Sequence, residues 1–288
     1  MFGPAQLAAL AAVHRRGSFD LAAADLHVTP SAISQRIKAL EEATGTLLIR
    51  REKPCTATQT GLRLVRHHDE SALLNAALAQ DLHHSARTPT LRIAVNADSL
   101  ATWVIPALAA TPGLLYDIVI DDQDTSQALL RSGEVAAAIT SHPGPLQGCD
   151  TLALGTLRYR ATASPAFAAR WFATGVTAPA LALAPALRFN DKDRLQSLWA
   201  ARHGQTAALP CHRLASSHGF VDACLAGLGW GLNPEPLVAA HLASGALIDL
   251  DPASPLDMPL FWQMARLTAP AIAPLTRALH QAAKSLRP

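Results

Sequence analysis

The sequence predicts an α/β protein with a small all-α head, and three observations carry that expectation. The first sixty residues space their apolar side chains at helical intervals, interrupted by capping residues and glycines. From Thr60 to about Arg87 there is no proline, and the Leu/Ala content reads as one long helix closed by Thr88-Pro89. Beyond that point short strand-like runs alternate with helical ones, the pattern of a parallel sheet with crossover helices.

Taken in order, Pro4 to Arg16 forms a helix with Leu7, Leu10 and Val13 on one side and Gly17 as its stop. Ser18 caps a short second helix with Leu21, Ala22 and Leu26 inward, and His27-Val28 carries the chain over. Thr29 caps a third helix with Pro30 at its first position, where a missing N–H costs nothing. Ile33, Ile37 and Leu40 face inward, and the helix runs to about Thr44 with Gly45 ending it. Ser31, Ser34, Gln35 and Lys38 fall on the opposite face. Short donors and acceptors near a helix start, with a cation behind them, suit entry into a DNA major groove. Leu47 to Thr58 reads as a small hairpin, basic at its tip, placed as a wing against phosphate or the minor groove. On the long helix Leu62, Val65, Ala72, Leu73, Ala76 and Leu78 are candidates for a dimer seam.

In the body, Leu91–Asn96, Tyr116–Asp121 and Val135–Thr140 read as strands, with helices at Ser99–Ala110 and Thr125–Glu134. Leu152–Arg160 leads into a second α/β lobe with strands at Cys211–Ser217 and Met258–Met264, a helix at Phe220–Gly227 and a closing amphipathic helix at Ala271–Leu286.

Charge is unevenly spread. Residues 1–66 hold nine Lys/Arg against five acids, while the remainder holds fifteen against seventeen. A basic head on a slightly acidic body fits a polyanion partner at one end. The four cysteines lack paired or metal-ligand spacing and read as reduced cytosolic thiols; no metal and no cofactor is expected. Arg15 and Arg16 follow the first apolar run instead of preceding it, unlike a signal peptide. The Ala/Leu-rich stretch Thr177–Leu187 is broken by two prolines, so no membrane span is expected and the protein is placed in the cytoplasm. No Ser/His/Asp constellation or phosphate-binding glycine loop appears, and Gly227–Gly231 follows a helix instead of a strand, so an enzyme is not expected.

Open α/β lobes bind ligands at the carboxyl ends of their strands. The first strand ends in Asn96-Ala97-Asp98-Ser99, where Ser99 and free helix-start N–H groups suit a carboxylate. The second ends in Asp121-Asp122-Gln123-Asp124, and in the other lobe Asn190–Asp193 and Ser216-Ser217-His218, followed by Phe220, occupy comparable loops. An anion site among several carboxylates matches a zwitterion with an extra positive charge, which is a basic amino acid. Asp98, Asp122, Asp124 and Asp193 are equally good helix caps, and the sequence does not choose between Asp122 and Asp124 as the partner of a side-chain ammonium. Trp103 and Trp230 are candidates for the cleft wall or for the core.

Residues 1–60 resemble the winged helix-turn-helix of LysR-type transcriptional regulators. The likeness rests on Gly17-Ser18-Phe19, on Thr29-Pro30-Ser31-Ala32-Ile33-Ser34-Gln35-Arg36-Ile37, on Leu40-Glu41 and on the linker-helix start Thr58–Gly61. Arg51-Glu52-Lys53-Pro54-Cys55 and Ala94–Trp103, which includes Thr102, resemble the ArgP/LysG branch, which controls export of lysine and arginine. The resemblance implies a winged domain over 1–59, a linker and dimerisation helix with hinge over 60–89, and an effector domain over 90–288 with the two-lobed fold of periplasmic binding proteins. Lobe I is then about 90–161 with 265–288, and lobe II about 162–264. It also implies double-stranded promoter DNA, a small-molecule effector (a basic amino acid, L-lysine first, with arginine or histidine as alternatives), RNA polymerase and a homodimer or homotetramer as partners. On this reading Ser31, Ser34 and Gln35 read bases beside Thr29 and Pro30, and Arg36, Lys38, Arg51 and Lys53 hold phosphates. Two rivals stand beside it: an amino-acid binding protein, and an architectural DNA-binding protein without effector.

Overall fold

The computed structural model describes residues 2–84, 88–120 and 126–287. The head holds α1 (Pro4–Arg16), α2 (Phe19–Asp25) and α3 (Pro30–Thr44), followed by the antiparallel pair β1 (Ile49–Arg50) and β2 (Thr56–Ala57). Gly17 ends α1 in the left-handed region at φ 64°, and its N–H bonds to Val13 O. Thr29 Oγ1 accepts from Ala32 N at 3.2 Å, so the expected cap of α3 is made. Ile33, Ile37 and Leu40 are fully buried with Leu7, Leu10 and Val13. Two expectations for α2 fail. The Ser18 side chain makes no cap bond, and Leu21 is exposed, because Ala22 and Ala23 are the residues that face the core.

Helix α4 runs Gln59–Asp81, capped by Thr58 through Gly61 N. It ends six residues before the expected Arg87, with His83 in the left-handed region; residues 85–87 lie outside those described. α4 belongs to two cores at once. Val65 packs into the head, and Leu73 packs into the main core of the body. Leu62 also packs on the head core, so the large apolar side chains left exposed on this helix are Leu74 and Leu78, with Leu82 just beyond it. That narrows the expected seam, because Leu62, Val65 and Leu73 are spent within the chain.

The main sheet of the body is mixed. β3 (Thr90–Val95) pairs in parallel with β4 (Leu115–Ile120) and with β5 (Ala137–Thr140). Between β3 and β4 lies a helical run of α5 (Ala97–Ser99), a π-helical turn Leu100–Val104 and α6 (Ile105–Ala109); α7 (Ser126–Ser132) leads to β5. The sheet is not purely parallel, as the alternation predicts. β6 (Cys149–Ala163) is fifteen residues long and pairs antiparallel with its neighbours. Lobe II follows with α8 (Pro165–Trp171), α9 (Ala178–Leu183), β7 (Ala186–Arg188), α10 (Leu195–Arg202), β8 (Cys211–Arg213), α11 (Ser217–Leu225), β9 (Gly231–Pro234), α12 (Glu235–Ser244) and β10 (Ile248–Asp249). The chain returns along β11 (Leu256–Ala265), antiparallel to both β6 and β5, and closes with α13 (Ala273–Ala282). The order is β10-β6-β11-β5-β3-β4, so β6 and β11 tie the two lobes together. Among the described residues no helix is long and apolar enough to cross a membrane.

Candidate functional site

Two places on the molecule gather chemistry. The first is the outer face of α3 with the hairpin beside it. Ser31, Gln35 and Lys38 are exposed and Ser34 and Arg36 half-exposed, while the apolar side of the same helix is sealed. Thr29 and Pro30 are exposed at its start, although the Thr29 hydroxyl serves the cap and lies 2.9 Å from Ser31 Oγ. Lys38 Nζ lies 3.7 Å from Glu42 one turn on, an exposed pair that water screens. Arg51 and Lys53 are exposed on the hairpin tip.

The second is a cleft of about 870 Å³ between the lobes. Asn96 and Asp98 enter it from the end of β3, Tyr159 from β6, Phe189, Asn190, Lys192 and Asp193 from the loop after β7, and Ser217 and Phe220 from α11. Asp98 joins three of these elements. Its Oδ2 accepts from the Tyr159 hydroxyl at 2.8 Å and its Oδ1 from the Ser217 hydroxyl at 2.6 Å. Ser217 reaches this position because Ser216 caps α11, accepting from Gly219 N at 3.0 Å. Phe189 and Phe220 pack as a tilted aromatic pair, 6.4 Å between centroids, and Leu232 and Met258 extend the apolar wall.

Several expected contacts are placed elsewhere. Ser99 and Trp103 are buried inside lobe I, with no hydrogen-bond partner for Ser99 Oγ or Trp103 Nε1 among the described residues. Neither lines the cleft. Thr102 turns back and donates to Asp98 O at 2.6 Å. Trp230 is a core residue, 5.2 Å from the Trp199 ring. Asp193 does face the cleft loop, but its two oxygens accept from Phe189 N and Leu195 N and so brace the loop. Burial raises its carboxyl above the usual range, and those backbone bonds offset only part of the rise. Asp122 and Asp124 lie outside the described residues. Sequence reasoning missed Tyr159, Phe189 and Lys192. Lys192 sits in the loop the sequence singled out for its aspartates, so its charge was a usable signal; nothing local marks Tyr159.

The cleft therefore presents a carboxylate, Asp98, and an ammonium, Lys192, around an aromatic and aliphatic wall. Such a site holds a molecule with both charges and an apolar stem between them. A helix-turn-helix with a wing, tied by one shared helix to a two-lobed ligand cleft, defines a DNA-binding regulator that reads a small molecule. The chain belongs to the LysR family of transcriptional regulators: residues 4–62 match the bacterial regulatory helix-turn-helix protein, lysR family, and residues 84–284 match the LysR substrate binding domain. It is 44% identical over 287 residues to the HTH-type transcriptional regulator LysG of Mycobacterium tuberculosis, covering 99% of this chain and 94% of that one. The crystal structure of ArgP from Mycobacterium tuberculosis is 43% identical, covers 100% of this chain and 99% of that one, and superposes with a TM-score of 0.84. Full-length LysG from Corynebacterium glutamicum with bound effector Arg is 36% identical, covers 99% of this chain and 100% of that one, and has a TM-score of 0.70.

Proposed function

We propose that this regulator responds to a basic amino acid, L-lysine or L-arginine, held in the cleft beside Asp98. The observation that carries this reading is the Asp98 carboxylate anchored between Tyr159 and Ser217, with Lys192 on the same cleft. In this assignment the ligand's cationic group meets the Asp98 carboxylate, its methylenes lie along Phe220 and Met258, and its carboxylate meets Lys192. The Arg-bound relative supports the ligand class. Asn96 and Phe220 line the pocket. Two chains pair through the exposed Leu74, Leu78 and Leu82 stripe, as a dimer or a dimer of dimers, and set two α3 helices on one face of promoter DNA.

The functional division follows that arrangement: 1–59 binds DNA, 60–89 joins and dimerises, and 90–288 binds the effector. Ser31, Ser34 and Gln35 contact base edges, and Arg36, Lys38, Arg51 and Lys53 contact phosphates. Acting on chromosomal DNA, the protein works in the cytoplasm, without a cofactor and without catalysis. The ligand shifts the setting of the lobes and thereby the contact with DNA and RNA polymerase at an amino-acid exporter gene. Calorimetry of the full chain with L-lysine, L-arginine and L-norleucine tests this. Binding of a basic amino acid with none of norleucine, which lacks the side-chain cation, is the expected outcome. Equal binding of norleucine and lysine overturns the role given to the cleft carboxylate.

A further inference from the structure

Beyond its packing on the head core, three contacts of the wing with the helices before α3 bear on its tip. Ala57 N donates to His14 Nδ1 at 3.3 Å. Cys55 N donates to Gly17 O at 2.8 Å, and Pro54 lies so close over Gly17 that a Cβ there would stand 2.7 Å from the proline Cβ. The third point is Arg51, whose guanidinium carbon stands over the Phe19 ring, 5.3 Å from its centroid.

The first two contacts fix the returning arm of the hairpin and leave the long exposed side chain at its tip unconstrained. Only the third acts on that side chain, since among the described residues no carboxylate pairs with Arg51. Phe19 is fit for this task. It is the first residue of α2, half-buried and packed against the core of the head, so its ring is held still. A cation over a ring is attracted by the ring's quadrupole and gives up none of its N–H donors.

We infer that Phe19 is a positioning residue for DNA binding: it holds the Arg51 guanidinium in one place over the start of α2, so that its donors meet the duplex already ordered. The inference rests on the reading that Arg51 contacts DNA. An arginine fixed beforehand loses less freedom on binding than one that must be caught. From the strength of exposed cation–π pairs the contribution is about three-fold in affinity per wing, and so about ten-fold for a dimer with two wings on one duplex.

The test uses the full-length protein and a fluorescent duplex selected by the wild type from a random-sequence pool, read by anisotropy. Phe19→Leu, which keeps apolar bulk and loses the ring, is expected to weaken binding about ten-fold. Phe19→Trp, the stronger cation–π partner, is expected to bind at least as tightly as wild type. Arg51→Ala is expected to lose at least as much as Phe19→Leu, and neither Phe19 variant should change affinity further in the Arg51→Ala background. A Phe19→Leu loss that persists in full without Arg51 overturns the inference and leaves the DNA role of Arg51 intact. If Phe19→Leu unfolds, the tryptophan variant decides alone: weaker binding than wild type, or an effect undiminished without Arg51, overturns the inference. Wild-type affinity in Arg51→Ala overturns the DNA role of Arg51 itself, and the inference with it.

Discussion

Replacing Asp98 by asparagine isolates the carboxylate that ties Tyr159 to Ser217 across the cleft. The carboxylate takes two hydroxyl bonds, from Tyr159 at 2.8 Å and from Ser217 at 2.6 Å. An amide keeps one acceptor oxygen and turns the other position into a donor. One hydroxyl therefore loses its acceptor, and the other bond becomes neutral. The larger effect falls on a cationic ligand, which loses its counter-charge in a half-buried cleft. A hydrogen bond to a charged group is worth about 1.5–3 kcal/mol, so Asp98→Asn is expected to weaken L-arginine or L-lysine by about 2 kcal/mol, or ~30-fold. Ser217→Ala is the control, because it removes the same bridge from the other end and leaves the charge. Its cost is about 1 kcal/mol or less, roughly five-fold. Isothermal calorimetry of both variants against wild type gives the two numbers directly. Asp98→Asn binding within about two-fold of wild type, or no weaker than Ser217→Ala, refutes the reasoning.

Three further outcomes follow from the head and linker. Gln35→Ala is expected to relax base preference at one position by about 1–3 kcal/mol, whereas Lys38→Ala weakens all sequences alike and lowers the salt slope by about one per helix; binding-site selection at two salt concentrations separates them. Gly61→Ala, ordinarily favourable inside a helix, is expected to cost about 2–3 kcal/mol, because its Cβ would stand 2.2 Å from Leu48 O; chemical denaturation with an unchanged midpoint would contradict this. His14 is held below its ordinary value of 6.5 by burial first, then by Arg92 and Arg15, against the opposing pull of Glu134 and Asp69. The folded head thus prefers His14 neutral, so its contribution is complete above about pH 6.5 and is lost as pH falls below it. His14→Asn, which can still accept from Ala57 N without titrating, is expected to lose less thermal stability than wild type between about pH 7.5 and about pH 5.5. An equal or larger loss in the variant contradicts the assignment.

The head was legible because each of its devices is local. Thr29, Pro30 and Gly45 mark the ends of α3 within one turn, and Ile33, Ile37 and Leu40 repeat at the helical period. The parallel core of β3, β4 and β5 was legible for the same reason, as apolar runs separated by helices. Lobe II was read less well. α12, Glu235–Ser244, mixes Leu, Val and Ala around its whole circumference, so no periodicity announces it. The short helices α8 and α9 begin with proline-containing turns that resemble loops in sequence. The cleft is a product of long-range contact. Tyr159 and Ser217 reach Asp98 across separations of 61 and 119 residues, distances over which no spacing rule operates. Trp103 was left open between cleft wall and core: it lies seven positions from Asn96, and the helical run turns its ring into the core of lobe I.

The measurement that bears most directly on the whole account is DNase footprinting and affinity of the full chain on the region upstream of its own and neighbouring genes, with and without saturating L-arginine or L-lysine. Coupling between two sites through one shared element amounts to about 1–3 kcal/mol, so either an affinity change of at least about five-fold or a change in footprint length is expected. A footprint and an affinity both indifferent to either amino acid would show that the cleft does not govern the head.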